Sequence, residues 1–197
     1  MADEKHHPGL ESAARAARSN GAGLMVWFTG LSGAGKSTLA RGVCREVAAR
    51  GFPTELLDAD EVRKHLSRGL GFRPEDRMEN VRRLGYVAGL LTRHGVVTLV
   101  AAMSPDRSVR DEIRQQTGSF VEVFVDVPVE ICERRDPVGL YRRFRSGEIH
   151  NVSGLDDPYE PPLQPEVHCL TAFETVEESV AKVSRVVFAS LQKSAKG

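Results

Sequence analysis

Residues 30–38 read Gly-Leu-Ser-Gly-Ala-Gly-Lys-Ser-Thr, a complete G-x-x-x-x-G-K-[ST] phosphate-binding loop (P-loop). An apolar stretch of strand length, residues 24–29, precedes it, and residues 39–50, which have helical composition and no proline, follow it. In this setting Lys36 supplies charge to the outer phosphates of a nucleotide, and the Ser37 hydroxyl is placed to bind Mg²⁺. The sequence therefore predicts a protein that binds a nucleoside triphosphate. A chance glycine-rich turn is the alternative, and it does not explain why strand, loop and helix follow in register.

Composition and charge narrow the class of protein. In 197 residues, 27 basic side chains balance 27 acidic ones, so no global field favours nucleic acid or an anionic membrane as a partner. No apolar run approaches the roughly 18 residues that span a bilayer. The three cysteines form no C-x-x-C pair, which favours a cytoplasmic protein without disulfides or a zinc site. We expect residues 1–20 to form a flexible leader and residues 21–197 a single domain.

Apolar runs of strand length recur along the chain, with helical segments between them. They cover residues 24–29, 54–57, 96–101, 120–127 and 167–171, and a helical pattern at residues 176–191 would close the domain. Helical connections between such runs are typical of right-handed βαβ crossovers. The sequence thus predicts an α/β fold, a doubly wound parallel sheet of about five strands, with ligands at the carboxyl ends of the strands.

Residues 135–162 break this rhythm, because they are rich in glycine, proline and arginine. A long irregular segment inside a compact domain is usually functional. In an enzyme that transfers phosphoryl groups, such a segment would be a mobile lid that brings arginines to the phosphates and excludes water. The alternative is a solvated excursion without fixed structure.

Two carboxylates follow the second predicted strand. Asp58 and Asp60 occupy alternate positions, so both can point the same way at the carboxyl edge of the sheet. One could organise Mg²⁺, and one could accept the proton of an attacking hydroxyl. The alternative for Asp60 is to cap the helix that begins at the next residue.

The helix predicted over residues 76–93 carries polar groups on its apolar face. At about 100° per residue, Arg77 and Asn80 fall on the same arc as the apolar residues of the following turns. Polar groups on a core-facing stripe must be paired or must line a cavity, so this face indicates a pocket for an anion. The alternative is a buried structural salt bridge from Arg77 to Asp58 or Asp76.

Two residues near this helix could contribute to the same pocket. Arg63 could add positive charge to it. Phe72, on the loop before the helix, is either a core plug or a stacking platform for a base, and residue type alone does not decide between them.

Taken together, these residues resemble the adenylyl-sulfate kinase family. Its members use ATP to phosphorylate the ribose 3′-hydroxyl of adenosine 5′-phosphosulfate (APS), which gives 3′-phosphoadenosine 5′-phosphosulfate (PAPS) and ADP in sulfate assimilation. The similarity runs from about residue 24 to residue 170. In chain order, the motifs that carry it are Trp27–Thr38, Leu57-Asp-Ala-Asp60, Leu70-Gly-Phe72, Glu79-Asn-Val-Arg-Arg83, Ser104-Pro105, Arg135-Asp-Pro137, Gly139-Leu-Tyr141 and Gly154–Glu160.

The resemblance implies a role for each group of residues. Catalysis is expected from Lys36, Asp58, Asp60 and Ser104, and Mg²⁺ binding from Ser37 and Asp60. Ser104 lies in a segment described in the family as a phosphoserine site; we expect direct in-line transfer instead, because phosphoryl transfer needs mainly positioning and charge neutralisation. ATP would be bound by Gly30, Ser32, Gly33, Ala34, Gly35, Lys36, Ser37, Thr38 and Arg134, and APS by Asp60, Arg63, Phe72, Arg77, Asn80, Ser104 and Leu155. The family also implies a cytoplasmic homodimer that has neither nucleic acid nor a membrane as a partner.

Three positions depart from the family pattern, all on the acceptor side. Asp106 replaces a tyrosine, Val138 replaces a lysine, and Val152 replaces an aromatic residue that would face Phe72 across the acceptor adenine. A divergent kinase of the same fold, acting on another small hydroxyl-bearing anion, is therefore an alternative. A non-catalytic nucleotide-binding subunit of a sulfate-activating complex is a further one, although a degraded subunit has no need of the intact P-loop and carboxylates.

Overall fold

A parallel sheet of five strands organises the part of the chain that the computed structural model describes, residues 23–194. The strands are β1 (Leu24–Thr29), β2 (Thr54–Asp58), β3 (Val97–Ala101), β4 (Phe120–Asp126) and β5 (Val167–Leu170). Their order in the sheet is β2-β3-β1-β4-β5, and every pairing is parallel. The chain turns from one side of β1 to the other after β3, which places the crevice expected of such a sheet beside β1. The predicted fold class is confirmed.

Helices cover both faces of the sheet. On one face lie α1 (Lys36–Ala49) and α7 (Val176–Ser194), and on the other lie α3 (Pro74–Arg93) and α4 (Arg107–Thr117). Three shorter helices, α2 (Ala59–Leu66), α5 (Val129–Arg135) and α6 (Leu140–Arg145), follow the strand ends. Among the described helices, none combines the length and the apolar character needed to cross a lipid bilayer.

The central strand supplies side chains to two separate hydrophobic cores. Val26 and Phe28 pack with α1 and α7, whereas Met25 and Trp27 pack with α3 and α4. All four side chains are fully buried. Because β1 is covered on both faces, it reads in sequence as a continuous apolar run with no polar alternation. This packing fixes the strand end from which the P-loop emerges.

The segment predicted as a lid has defined structure. Residues 135–162 include the end of α5, all of α6 and a tight turn closed by a bridge between Ser153 and Asp157. The alternative of a solvated excursion without fixed structure is therefore wrong, while motion of this segment stays a prediction. The leader predicted at residues 1–20 lies outside the described residues, so the domain division also stays a prediction.

Candidate active site

A cleft of about 960 Å³ opens over the P-loop at the carboxyl ends of the strands. Its floor is the loop and the first turn of α1, from Ser32 to Leu39. One wall is formed by the start of α2, including Asp58 and Asp60, and the other by the β5–α7 connection. The position matches the general rule that open α/β sheets bind ligands where the strand order reverses.

Glycines shape the P-loop at points where no side chain fits. A Cβ atom on Gly30 would lie 2.3 Å from the carbonyl oxygen of Val125 in β4, so the loop leaves β1 only with glycine there. Gly33 and Gly35 have φ angles of 77° and 106°, which L side chains rarely adopt. Gly35 is the N-cap residue of α1, and the unpaired N–H groups of the first turn of that helix favour an anion.

Lys36 is held within the loop and has an altered proton affinity. Its Nζ donates to the carbonyl oxygen of Leu31 at 2.7 Å. Burial lowers the pKa of Lys36 to about 8, although the negative charges of Asp60 and Asp58 act in the opposite direction. No carboxylate within the described residues forms a salt bridge with this ammonium group, so phosphate oxygens are its natural partner.

The two carboxylates after β2 have different surroundings. Asp58 accepts a hydrogen bond from the backbone N–H of Asp60 at 3.2 Å and forms an ion pair with Arg41 at 3.4 Å. Asp58 is therefore the cap of α2, and the alternative that assigned this role to Asp60 is wrong. Asp60 faces the cleft, and no hydrogen bond to its carboxylate is seen in residues 23–194.

The donors present suit Mg²⁺ bound together with a nucleotide. Within residues 23–194, no three histidine, cysteine or acidic side chains group into a metal cage. Mg²⁺ usually keeps several waters and uses one or two carboxylates plus substrate phosphates. Ser37 and Asp60 line the same cleft and supply such donors.

The start of the predicted lid clamps the P-loop from above. Arg135 donates to the carbonyl oxygen of Gly33 at 3.1 Å, and the Tyr141 hydroxyl donates to that of Ser32 at 2.9 Å. Asp136 accepts from the backbone N–H of Tyr141 at 3.2 Å, in the first turn of α6, whose N-cap residue is Gly139. The Arg-Asp-Pro and Gly-Leu-Tyr motifs thus act together to hold the loop that would contact the phosphates.

On the acceptor side, Arg63 and Phe72 form a pair at the surface. The Arg63 guanidinium lies 4.5 Å from the centre of the Phe72 ring and donates to the Leu70 carbonyl at 3.1 Å. The Phe72 side chain is 73% exposed, so it is not a core plug. An exposed ring backed by a cation is available to stack on a base.

Comparison with known proteins identifies the family. Residues 22–170 match the family model described as Adenylylsulphate kinase. A protein of Synechococcus sp. (strain JA-2-3B'a(2-13)), named adenylyl-sulfate kinase, is 59% identical over 158 residues, which is 80% of this chain and 90% of that protein. The chain belongs to the adenylyl-sulfate kinase family. A further relative with the same name, from Halothermothrix orenii, is 52% identical over 83% of this chain and 89% of its own length.

Solved structures of adenylyl-sulfate kinases have the same architecture. The structure of the Mycobacterium tuberculosis APS kinase in complex with AMPPNP and APS is 41% identical, has a TM-score of 0.79, and is matched over 84% of this chain and 97% of that chain. A gluconokinase of Sinorhizobium meliloti, at 18% identity and a TM-score of 0.54, shares the fold alone.

One residue expected in the ATP site of this family member lies elsewhere. Arg134 is exposed and does not line the cleft, whereas its neighbour Arg135 does. The two side chains leave the short helix α5 about 100° apart, so only one can face the P-loop. Arg135 directly precedes Asp136 and Pro137 in the Arg-Asp-Pro motif. This position in the motif favours Arg135 over Arg134 as the residue that faces the P-loop. The other residues expected to bind ATP lie together in the loop.

Ser104 also lies away from the cleft of this adenylyl-sulfate kinase family member. The residue is only 1% exposed. Its Oγ accepts a hydrogen bond from Trp27 Nε1 at 2.9 Å and donates to Thr29 Oγ1 at 3.0 Å. Thr29 is in turn 2.9 Å from the hydroxyl of Tyr159. The expected role of the Ser104 hydroxyl in catalysis and substrate binding therefore has no support in this geometry.

The remaining acceptor residues of the family pattern lie on and beside α3. Arg77 forms an ion pair with Asp157. The alternative of a buried salt bridge from Arg77 to Asp58 or Asp76 is therefore wrong. Asn80 is half-buried on the same helix, and Leu155 packs against the core beneath the turn.

The three departures from the family pattern occupy different environments. Val138 lines the cleft and is 66% exposed, and Asp106 is the N-cap residue of α4, although its side chain makes no capping hydrogen bond within the described residues. Val152 is 4% exposed, so it offers no surface to complete a stack with Phe72 in this conformation.

Proposed function

We propose that this chain transfers the γ-phosphoryl group of Mg-ATP to the 3′-hydroxyl of APS, giving PAPS and ADP. The observation that carries this conclusion is the cleft in which Lys36, Ser37 and Asp60 meet, within a chain of the adenylyl-sulfate kinase family. It supplies the phosphate-binding loop, the donors for Mg²⁺ and a carboxylate with no competing partner among the described residues.

The chain's own residues account for most of what this transfer requires. The α1 N-terminus and Lys36 hold the phosphates, and Arg135 fixes the loop carbonyls around them. Asp60 receives the proton as the 3′-oxygen bonds to the γ-phosphorus and the bond from that phosphorus to the leaving ADP oxygen breaks. Ser37 and Asp60 would hold Mg²⁺, which, when bound, neutralises charge on the phosphate oxygens.

The acceptor would lie against α3, with its anion at Arg77 and its base at Phe72. Arg77 comes from the first turns of α3, and Phe72 from the loop immediately before that helix. The burial of Ser104 supports direct transfer in preference to a phosphoserine intermediate, because its hydroxyl is already used in two buried hydrogen bonds.

Product analysis tests the proposed function. The purified protein, incubated with Mg-ATP and APS, should form ADP and PAPS in a one-to-one ratio. Lys36→Ala, which removes the phosphate-binding charge, is the matched control and should lower turnover by about 10²-fold or more. ADP release that does not depend on APS would contradict the proposal.

The assembly and location of the protein stay predictions. A homodimer in the cytoplasm is expected from the resemblance, while a hexameric APS kinase of Thiobacillus denitrificans is 33% identical, with a TM-score of 0.62, over 88% of this chain but 29% of that longer chain. Light scattering of the full chain distinguishes a dimer from a hexamer by mass.

A further inference from the structure

The turn at residues 151–157, here termed the acceptor turn, is a rigid unit. Asp156 accepts from the backbone N–H groups of Asn151 and Val152 at 2.9 and 2.6 Å. Gly154 N–H donates to the Asp157 carbonyl at 2.7 Å, and Asn151 has a φ angle of 59°. These contacts hold the turn in one conformation, and Leu155 packs it against the core.

Arg77 connects this turn to α3. One guanidinium nitrogen lies 2.5 Å from Asp157 Oδ2, and the other donates to the Asn151 carbonyl. The two side chains are 12% and 15% exposed, so the pair is largely removed from water. Ser153 Oγ also donates to the same Asp157 oxygen at 3.2 Å, which holds the carboxylate in place.

One edge of the Arg77 guanidinium has no partner. Its Nε is buried, and within residues 23–194 it makes no hydrogen bond. Most buried polar groups in folded proteins are hydrogen-bonded, and an exception calls for an explanation. Here the unpaired Nε belongs to the arginine expected to bind the acceptor, and both terminal nitrogens of that arginine contact the turn.

We propose that Asp157 is a positioning residue for the acceptor: it holds Arg77 so that the N–H donors used by neither Asp157 nor the Asn151 carbonyl bind the acceptor anion, and acceptor binding in turn fixes the acceptor turn against α3. The inference rests on the proposed function and adds to it a residue that couples substrate binding to this segment. An arginine fork can bind two groups at once, because its five N–H donors point in fixed directions.

The alternative is that Asp157 occupies the place of the acceptor anion and must leave before APS binds. Breaking this pair leaves the largely buried Asp157 carboxylate without its partner, which is unfavourable. The Ser153 hydrogen bond and the bridge between Ser153 and Asp157 also tie the carboxylate to the turn. If Asp157 and the acceptor anion bind Arg77 at the same time, neither the ion pair nor the contacts of Asp157 with Ser153 need to break. The geometry therefore favours a positioning role for Asp157.

Steady-state kinetics of Asp157→Asn separate the two roles. We expect the KM for APS to rise about 10- to 100-fold, with the KM for ATP and kcat changed less than about threefold. The control is Glu148→Gln, which removes a carboxylate from the same segment; Glu148 pairs with Arg143 at the surface and is 58% exposed. This control should behave as wild type, because exposed pairs contribute little. A KM for APS that is unchanged or lowered in Asp157→Asn overturns the proposal.

Hydrogen exchange of the wild-type protein supplies a test that does not depend on a variant. Adding APS to the protein with the non-hydrolysable analogue AMPPNP should slow exchange in residues 151–157 and in the first turns of α3 together. Protection of α3 without the turn would overturn the coupling. If instead the wild-type protein shows neither APS turnover nor any APS-dependent protection, the proposed function itself fails, which is a different outcome.

Discussion

Replacing Ser104 by alanine tests how this protein transfers phosphate. The Ser104 hydroxyl lies between Trp27 Nε1 and Thr29 Oγ1 and is closed off from the cleft. If it only supports the strand ends, Ser104→Ala should leave kcat within about threefold of wild type. If it carried a phosphoryl group, the same change would abolish the reaction.

The structure sets the expected cost in stability. Trp27 is fully buried, so its indole N–H would lose its partner without gaining water. An unsatisfied buried donor costs about 1–3 kcal/mol, and in a chain of this size each kcal/mol lowers Tm by about 2–4 °C. Thr29 keeps its contact with Tyr159, whose pKa is raised by burial to about 12 and whose hydroxyl stays protonated.

The assay uses the protein's own fluorescence. Trp27 is the single tryptophan of the chain, so its emission reports unfolding and the loss of this hydrogen bond directly. The matched control is Ser184→Ala, since Ser184 is 3% exposed and its Oγ has no partner among the described residues. That variant should unfold within about 0.5 kcal/mol of wild type. A loss of kcat of about 10³-fold in Ser104→Ala, with Tm unchanged, would refute the reasoning.

Three further predictions concern charged groups of the cleft and core. Asp60→Asn should lower kcat by about 10²- to 10⁴-fold with little change in ATP affinity measured by calorimetry, and near-normal turnover would remove Asp60 from the mechanism. Because the Lys36 pKa is about 8 in the free protein and phosphates favour the ammonium form, ATP binding should take up about 0.9 proton at pH 9 and about 0.1 at pH 7. The affinity for ATP should therefore weaken as pH rises above 8. Calorimetry in buffers of different ionisation enthalpy measures the proton uptake, and Lys36→Arg should take up no proton. Equal proton uptake at pH 7 and pH 9 would contradict the assignment of this proton to Lys36. Arg110→Met should cost about 1–3 kcal/mol in denaturant unfolding, because the carbonyl oxygens of Ser104 and Glu160 lose their buried donor and Glu122 keeps only its ion pair with Arg114 at 3.3 Å; a variant as stable as wild type would count against this.

The features that follow from local pattern could be predicted from the sequence. The P-loop and the five strands each depend on residues within a few positions of one another. The contacts made by Ser104 and Arg77 could not be predicted in this way. Ser104 bonds to Trp27 across 77 positions, and Arg77 bonds to Asp157 across 80. Such partners are set by how the sheet and the returning segment pack, which single-sequence periodicity does not encode.

The expectation that Arg134 binds ATP differs from the structure for another reason, because Arg135 and not Arg134 lines the cleft. Helix α5 has only seven residues, so its facing side cannot be read from an apolar stripe. The position of Arg135 instead follows from the backbone carbonyls of the P-loop that it binds. In this site, hydrogen bonds to backbone carbonyls determine how a side chain such as Arg135 is oriented. The hydrophobic pattern of the sequence does not predict that orientation.

The most direct test of the central claim is the kcat/KM of the wild-type protein for APS, compared with AMP and with gluconate under the same Mg-ATP concentration. AMP lacks the sulfate, and gluconate represents the fold-related gluconokinase. We predict a preference for APS of about 10²-fold or more over both, because AMP leaves the groups that bind the sulfate without a partner, and gluconate also lacks the base. Equal or faster turnover of either competitor would contradict the account and identify a different acceptor.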